Sequence, residues 1–444
     1  MPSSNAKRQE LIVATLIEAF EPLMKADADG FRTKFRKMAA NPFAFYRGSA
    51  CLFYADMRPQ HQRGRDHRAD DRTSRVWIHG DLHAENFGTY MNSDGVLVFD
   101  VNDFDEAYLG HFTWDLRRFV ASLALMGWQK ALPEDDIRRL SRTYLDAYVD
   151  QVRHYVRVEE DDAFALRLDN TDGAVHEVLV TARMCTRVEM LDDTTEVVDH
   201  ERRFSRGPGV RELSKTERGK VERAFKRYLK TMSDSKRQQQ AVFYDIKDVV
   251  GKSGFGIGSA GLPAYNILIE GFNQALENDV VLSMKQANIP AVSRIVDHER
   301  AAAFFENEGH RTVVSQRELQ VHTDPFLGWT TVDKVGYVVA EVSPYEADLD
   351  WGEISEPEEI GPVVELLGRA TAKIHCVSDE DSDEDLVDFQ TEEAIIETID
   401  ADPEAFVDEL VEFGIGYAAK TRKDHALFVD AFREGAFDLV SAVS

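Results

Sequence analysis

The segment His79-Gly80-Asp81-Leu82-His83-Ala84-Glu85-Asn86 sits between two short apolar runs, Val76-Trp77-Ile78 and Val96-Leu97-Val98-Phe99, and constrains the chain more than any other feature. Both runs are rich in β-branched and aromatic residues. The second follows an Asn92-Ser93-Asp94-Gly95 turn, so the unit reads as strand, loop, strand. A loop pinned at both ends holds Asp81 and Asn86 within reach of one ligand. The second strand then delivers Asp103-Phe104-Asp105-Glu106-Ala107. An Asp near an acceptor hydroxyl, with an Asn and a further carboxylate placed for Mg²⁺, suits phosphoryl transfer. Asp81 is therefore the candidate base. Asn86 and Asp103 are the candidate metal ligands, and Asp105 is the alternative because the doubled Asp leaves the register open.

The loop, Asp103-Phe104-x-x-Ala107 and Trp114-Asp115-Leu116 together resemble the aminoglycoside and choline phosphotransferase branch of the protein-kinase-like fold. The resemblance implies ATP and Mg²⁺ as cofactors and an α+β, two-lobed fold with a helix-rich larger lobe. It casts Asp115 as a buttress of the loop and His79 as its anchor. His83 falls where a kinase carries a Lys, a position that would let it touch the transferred phosphate as a second catalytic residue. More closely, the chain is similar to the domain of unknown function 2252 family. That similarity rests on Asn41-Pro42-Phe43-Ala44-Phe45-Tyr46-Arg47-Gly48, the loop, Asn102-Asp103-Phe104-Asp105-Glu106, Asp324-Pro325-Phe326-Leu327-Gly328-Trp329 and the stretch from Tyr417 to Phe432. Within the first of these motifs, Arg47 is a candidate contact to a phosphate or an acidic substrate.

A second constellation lies far downstream. Gly254-Phe255-Gly256-Ile257-Gly258-Ser259-Ala260-Gly261 precedes two strand-like runs, and Lys285 closes the second. Glycines let backbone amides approach phosphates, here Gly256, Gly258 and Gly261, and a strand Lys can reach the α- and β-phosphates. Glu299 is the best-spaced carboxylate to pair with Lys285. In an ordinary kinase this pair of features precedes the catalytic loop; here it follows. The helical stretch Val363 to His375 resembles the phosphotransferase helix that usually comes just before the loop, and Tyr337 to Val342 reads as the hinge-side strand. The fold expected is therefore kinase-like in circularly permuted order, which closely spaced termini make cheap.

A chain of 444 residues exceeds one ordinary core. The expected divisions are an N-terminal helical segment (1–75), the catalytic-loop half (76–240), a nucleotide-binding part (241–350) and C-terminal helices (351–444). The stretch from Val188 to Gly209 reads as a polar loop, and the last long helix as broken near Gly414. A net charge of −28 disfavours nucleic acid and anionic membranes, and suits a salt-rich cytoplasm where dense carboxylates are screened. Three scattered cysteines fit a reducing, cytoplasmic setting. Met1 to Phe20 reads as an amphipathic helix rather than a signal peptide.

Three further functions use the same residues. His79, Asp81 and His83 could ligate Zn²⁺ or Mn²⁺ in a hydrolase. The same fold could transfer a nucleotidyl group, or bind nucleotide without turnover as a pseudokinase. No motif specifies the acceptor, which is expected to be a small molecule with a hydroxyl group.

Overall fold

A computed structural model describes residues 4–62, 70–158, 164–232, 237–238, 240, 242–252, 262–296, 299–320, 322–380, 382 and 386–438. The chain opens with helices α1 (Ser4–Ala26), α2 (Ala28–Met38), α3 (Pro42–Arg47) and α4 (Ala50–Gln62). On α1, Ile12, Leu16, Phe20 and Met24 recur every four residues and are buried, which makes one face of the helix a core stripe. Asn41-Pro42 ends one helix and starts the next. The Asn41 side chain accepts from Ala44 N at 2.8 Å, and Pro42, lacking an N–H, loses nothing in the first turn.

The loop region follows. Strands β1 (Val76–Ile78) and β4 (Tyr108–Gly110) pair with each other, and β2 (Phe87–Met91) pairs with β3 (Leu97–Val101). Helices α5 (Phe112–Gln129) and α6 (Glu134–Tyr155) come next, then α7 (Gly173–Met184) and α8 (Arg187–Thr194). Strands β5 (Thr195–Val198) and β6 (Glu201–Phe204) form a hairpin, followed by β7 (Val210–Arg211) and α9 (Lys215–Tyr228). The expected loop from Val188 to Gly209 is therefore largely ordered. Leu191 and Phe204 supply its apolar anchor by packing on Val250, Leu268 and Val281.

The remaining elements are β8 (Ile246–Lys252), β9 (Ala264–Ile269), β10 (Val280–Gln286), α10 (Glu299–Phe304), α11 (Glu308–Gln320), β11 (Gly328–Val332), β12 (Val335–Glu341), α12 (Pro357–Cys376), α13 (Thr391–Asp400) and α14 (Pro403–Arg433). A six-stranded antiparallel sheet runs in the order β11-β12-β10-β9-β8-β7. One of its faces packs on α9 through Val221, Phe225 and Tyr228. The protein is thus α+β, with a helical core and a smaller sheet core. The α8 helix, the β5–β6 hairpin and α9 pack with the sheet.

In the helical core, α5 is buried on nearly every side. Helix α14 continues unbroken through Gly414, contrary to expectation. An added Cβ there would stand 3.0–3.1 Å from Val120, so this glycine serves the approach of α14 to α5 rather than a break. Arg8 joins the first and last helices, bonding Asp56 at 2.8 Å and Asp424 at 2.6 Å. No helix among the described residues is long and apolar enough to cross a membrane.

Candidate functional site

The loop after β1 is held from below by Asp115, in the first turn of α5 and fully buried. Its carboxylate accepts from His79 N at 2.6 Å and Gly80 N at 3.0 Å, and His375 of α12 meets it at 3.3 Å. Gly80 has φ +78°, and a Cβ there would collide with the Glu106 carbonyl oxygen, so only glycine fits. Tyr54 donates to Gly80 O at 2.7 Å. His79 is committed at both ring nitrogens, Nε2 to Asn102 O (2.7 Å) and Nδ1 to Asp81 N (3.3 Å).

Asp81 points one oxygen at Arg118, whose Nε donates to it at 2.7 Å. Arg118 is wholly buried, one turn after Asp115 on α5, with its guanidinium 4.4 Å from the Tyr46 ring. Burial pushes the Asp81 carboxyl up to about 6, against the pull of Arg118. Asn86 is buried, and its Nδ2 closes the loop on Asp81 O at 2.9 Å. His83 is buried at 2 % exposure, with Nδ1 unpartnered and its ring against Phe43. Burial holds it well below the usual histidine range. Neither His83 nor Asn86 lines either cavity of the site.

Past β3 the chain turns sharply. Asp103 adopts φ +60°, a left-handed conformation rare for a residue with a side chain and typical of functional turns. The turn is clamped to the sheet unit. Arg311 of α11 donates to Asp105 O (2.9 Å), Ala107 O (2.9 Å) and Asn288 O (2.7 Å). Glu106 accepts from Ala291 N at 2.5 Å and Asn288 Nδ2 at 3.1 Å. Burial first, and the charge of Asp103 second, push the Asp105 carboxyl well above the usual range, while Lys285 and Arg311 oppose them.

Two cavities meet at this turn. The larger, about 510 Å³, lies between the sheet and the β2–β3 hairpin; Lys285, Ser283, Gln316, Asp324, Glu346, Asp103 and Asp105 line it. Lys285 stands on β10 opposite Val338 and Ala264; the two-residue period that sends Leu282 and Met284 into the α9 core sends Ser283 and Lys285 into the cleft. The smaller cavity, about 40 Å³, is walled by the N-terminal helices and holds Asp81, Arg47, Lys34 and Glu106. Asp103 and Asp105 line both. Arg47 pairs with Glu85 at the cavity's edge.

A comparison with family models matches residues 27–431 to the family described as "Uncharacterized protein conserved in bacteria (DUF2252)". The chain belongs to the DUF2252 family. Comparison with curated proteins and with solved structures gives no match.

For this DUF2252 protein, not every expected site residue falls in place. Gly256, Gly258 and Gly261 lie outside the described residues; the strands on either side of them, β8 and β9, pair with Lys252 opposite Ala264. Glu299 is exposed at the start of α10, and no ion pair joins it to Lys285 among the described residues. The helix facing the cleft is α11, through Thr312, Gln316 and Gln320, and the carboxylates that feel the charge of Lys285 are Asp105 and Glu346. Sequence reasoning also passed over Arg118, Lys34 and Arg311. Arg118 had a signal: on α5 it follows Asp115 by three residues and shares its face.

Were Asp81 a general base, it would act as the carboxylate, and turnover would be expected to rise as pH passes through about 6 and to level off above it. A cation near Asp103 would move that rise to lower pH. A pH–rate profile that instead fell across this range would exclude Asp81 as the base.

Proposed function

We propose that the protein transfers a phosphoryl group from ATP, with Mg²⁺, to a small acceptor bearing a hydroxyl, on a kinase-like fold in circularly permuted order. One observation carries the reading. Asp103 and Asp105 stand at the junction of two cavities, one holding Lys285 and the other holding Asp81. Phosphoryl transfer needs that plan: a donor on one side, an acceptor on the other, and metal carboxylates between them.

The order of elements supports the permutation. Strands β8 to β10 carry the glycine-rich segment and Lys285, α11 and the β11–β12 hairpin follow, and α12 comes next. Although α12 lies some 260 residues after the loop's buttress, His375 touches Asp115, and Lys373 bonds Asp100 of β3 at 2.7 Å. The helix thus lies beneath the loop in space. The segment after β12 also crosses to the loop side, where Thr89 N donates to Ala347 O at 2.8 Å and Trp351 Nε1 to Ala84 O at 2.9 Å.

In this mechanism the free oxygen of Asp81 takes the proton of the acceptor hydroxyl as its oxygen bonds to phosphorus. Arg118 fixes the other oxygen and so sets the direction of the base. Lys285 draws charge off the donor phosphates. Asp103, Asp105 and Asn86 are the residues that would hold Mg²⁺, which neutralises charge on the transferring group. Two carboxylates crowded together, one of them held toward its neutral form by burial and by its neighbour's charge, suit a divalent cation. The zinc alternative loses support because His79 has no ring nitrogen left. Among the described residues, moreover, no three His, Cys, Asp or Glu side chains converge as a metal group.

Calorimetry with Mg²⁺ and ATP tests the reading. Lys285→Ala should weaken ATP binding roughly tenfold or more, since a charge-assisted hydrogen bond is worth about 1.5–3 kcal/mol. Unchanged affinity and full activity would remove Lys285 from the phosphate site. Formation of pyrophosphate instead of ADP would identify nucleotidyl transfer, and binding without either product a pseudokinase.

A further inference from the structure

The face of the sheet that lines the larger cleft carries a second lysine. Residues paired across neighbouring strands put their side chains on one face, and one such row reads Lys252 of β8, Ala264 of β9, Lys285 of β10 and Val338 of β12. Lys252 and Lys285 therefore share a face with only Ala264 between them, their backbones roughly 9–10 Å apart at the usual strand spacing. The next row reads Val250, Asn266, Ser283 and Ala340, so Asn266 is the diagonal neighbour of both lysines. Val250, Lys252 and Asn266 line a separate cavity of about 210 Å³, walled on its other side by residues 193–210. It adjoins the larger cleft where Asn266 meets its cross-strand partner Ser283.

Neither Lys252 nor Asn266 is spent on the fold. Asn266 is 9 % exposed, in the interior of a strand, where asparagine is disfavoured. Its side-chain amide makes no hydrogen bond among the described residues, and a buried amide left so costs stability until a ligand satisfies it. Lys252 is half-buried and has no ion pair or hydrogen bond on its ammonium among the described residues.

Charge also separates along the sheet. Toward β12, Lys285 meets Asp324, Glu341 and Glu346, and across the cleft stand Asp103, Asp105 and Asp348. Glu341 is paired with Arg187, Asp324 accepts from Phe326 N and Glu341 N, Asp348 is bonded by Asn102, and Asp103 and Asp105 are the metal candidates. Toward β8 the second cavity is lined by one carboxylate, the exposed Asp193, beside Lys252 and an Arg206 already held by Asp248 and Glu212. A polyanion at Lys285 is thus repelled from the β12 side and drawn to the β8 side.

We propose that the phosphate chain of the donor passes Lys285 and continues across β9 to Lys252, with Asn266 donating to it from between the two. The inference rests on the phosphotransfer reading for the identity of the donor, but a polyphosphate site is testable without turnover. A lysine that merely ends a strand would leave nucleotide affinity unmoved. An asparagine that merely shapes the sheet would lose stability when replaced.

Wild type, Lys252→Met, Lys252→Arg and Asn266→Val are titrated calorimetrically with ATP and with inorganic tripolyphosphate, each with Mg²⁺, and their denaturation is followed alongside. Lys252→Met should weaken ATP binding at least tenfold at an unchanged denaturation midpoint, with tripolyphosphate following ATP, and Lys252→Arg should restore part of the loss. Asn266→Val removes a buried amide and suits a strand, so it should raise the midpoint while weakening ATP at least threefold. If Lys252→Met does not fold, Lys252→Gln carries the same comparison. ATP affinity equal in wild type and Lys252→Met overturns the inference and leaves phosphotransfer at Lys285 standing. An Asn266→Val protein that loses stability and keeps its ATP affinity overturns it too. A wild type that binds tripolyphosphate through Lys252 but does not bind ATP has the opposite meaning: the polyphosphate site stands and phosphotransfer from ATP falls. A wild type that binds neither removes both.

Discussion

Asp81→Asn is expected to cut turnover by about 10²–10⁴-fold, the usual span for loss of a general base, with ATP affinity nearly unchanged. The substitution keeps the size of the side chain and an oxygen for Arg118 to bind. It removes the charge and the proton-accepting oxygen. ATP affinity should survive because Asp81 belongs to the smaller cavity, while Lys285 and most of the cleft lie on the far side of the Asp103–Asp105 turn. Arg118 would then be buried against a neutral partner, so some stability should be lost as well. Calorimetry of ATP binding beside turnover, once an acceptor is in hand, separates the two effects. Equal losses in affinity and turnover would make Asp81 a binding group instead.

Asp115→Ala should produce the largest loss of stability, about 3–5 kcal/mol by chemical denaturation. Breaking a buried charged contact costs on that scale, because the partners left behind cannot reach water. Here the orphans would be the amides of His79 and Gly80 and the ring of His375, all deep in the core. Asp115→Asn keeps one oxygen as acceptor but brings an amide donor toward two other donors, so it should recover only part of the loss. The loop would slacken even where the fold survives, and turnover should fall with it. A stable and fully active Asp115→Ala protein would show that the loop is shaped by its other contacts, those of Tyr54 and Ser122.

What the sequence made legible was local. The strands around the loop depend on residues a few positions apart. Asp115 stood out because its motif is short, and the role given to it rests on one resemblance. Helices α11 and α13 escaped notice because polar residues interrupt their apolar pattern, and their burial comes from neighbours distant in the chain. Glu299 was chosen on spacing, yet the helix facing the cleft is the next one along. Arg118 and Lys34 illustrate the limit most sharply. Each lies on a helix stripe that reads as core, and only the packing shows that Arg118, 37 positions from Asp81, turns its charge on that residue. The position of Lys34 in the cavity wall is likewise a property of the assembled helices.

The contact between Asp115 and His375 spans 260 positions, and the cleft is walled by residues 88–105 and 283–348. At a synthesis rate of roughly 5–20 residues per second, the ribosome therefore emits the loop about 13–52 s before the helix that supports it. Early in that interval Asp81 and Arg118 have their immediate neighbours from α3 to α5 but neither α12 below nor the sheet above; the sheet emerges before α12 does. On the phosphotransfer reading, the nascent chain holds Asp81 apart from any donor at Lys285 until nearly all of the described residues have emerged.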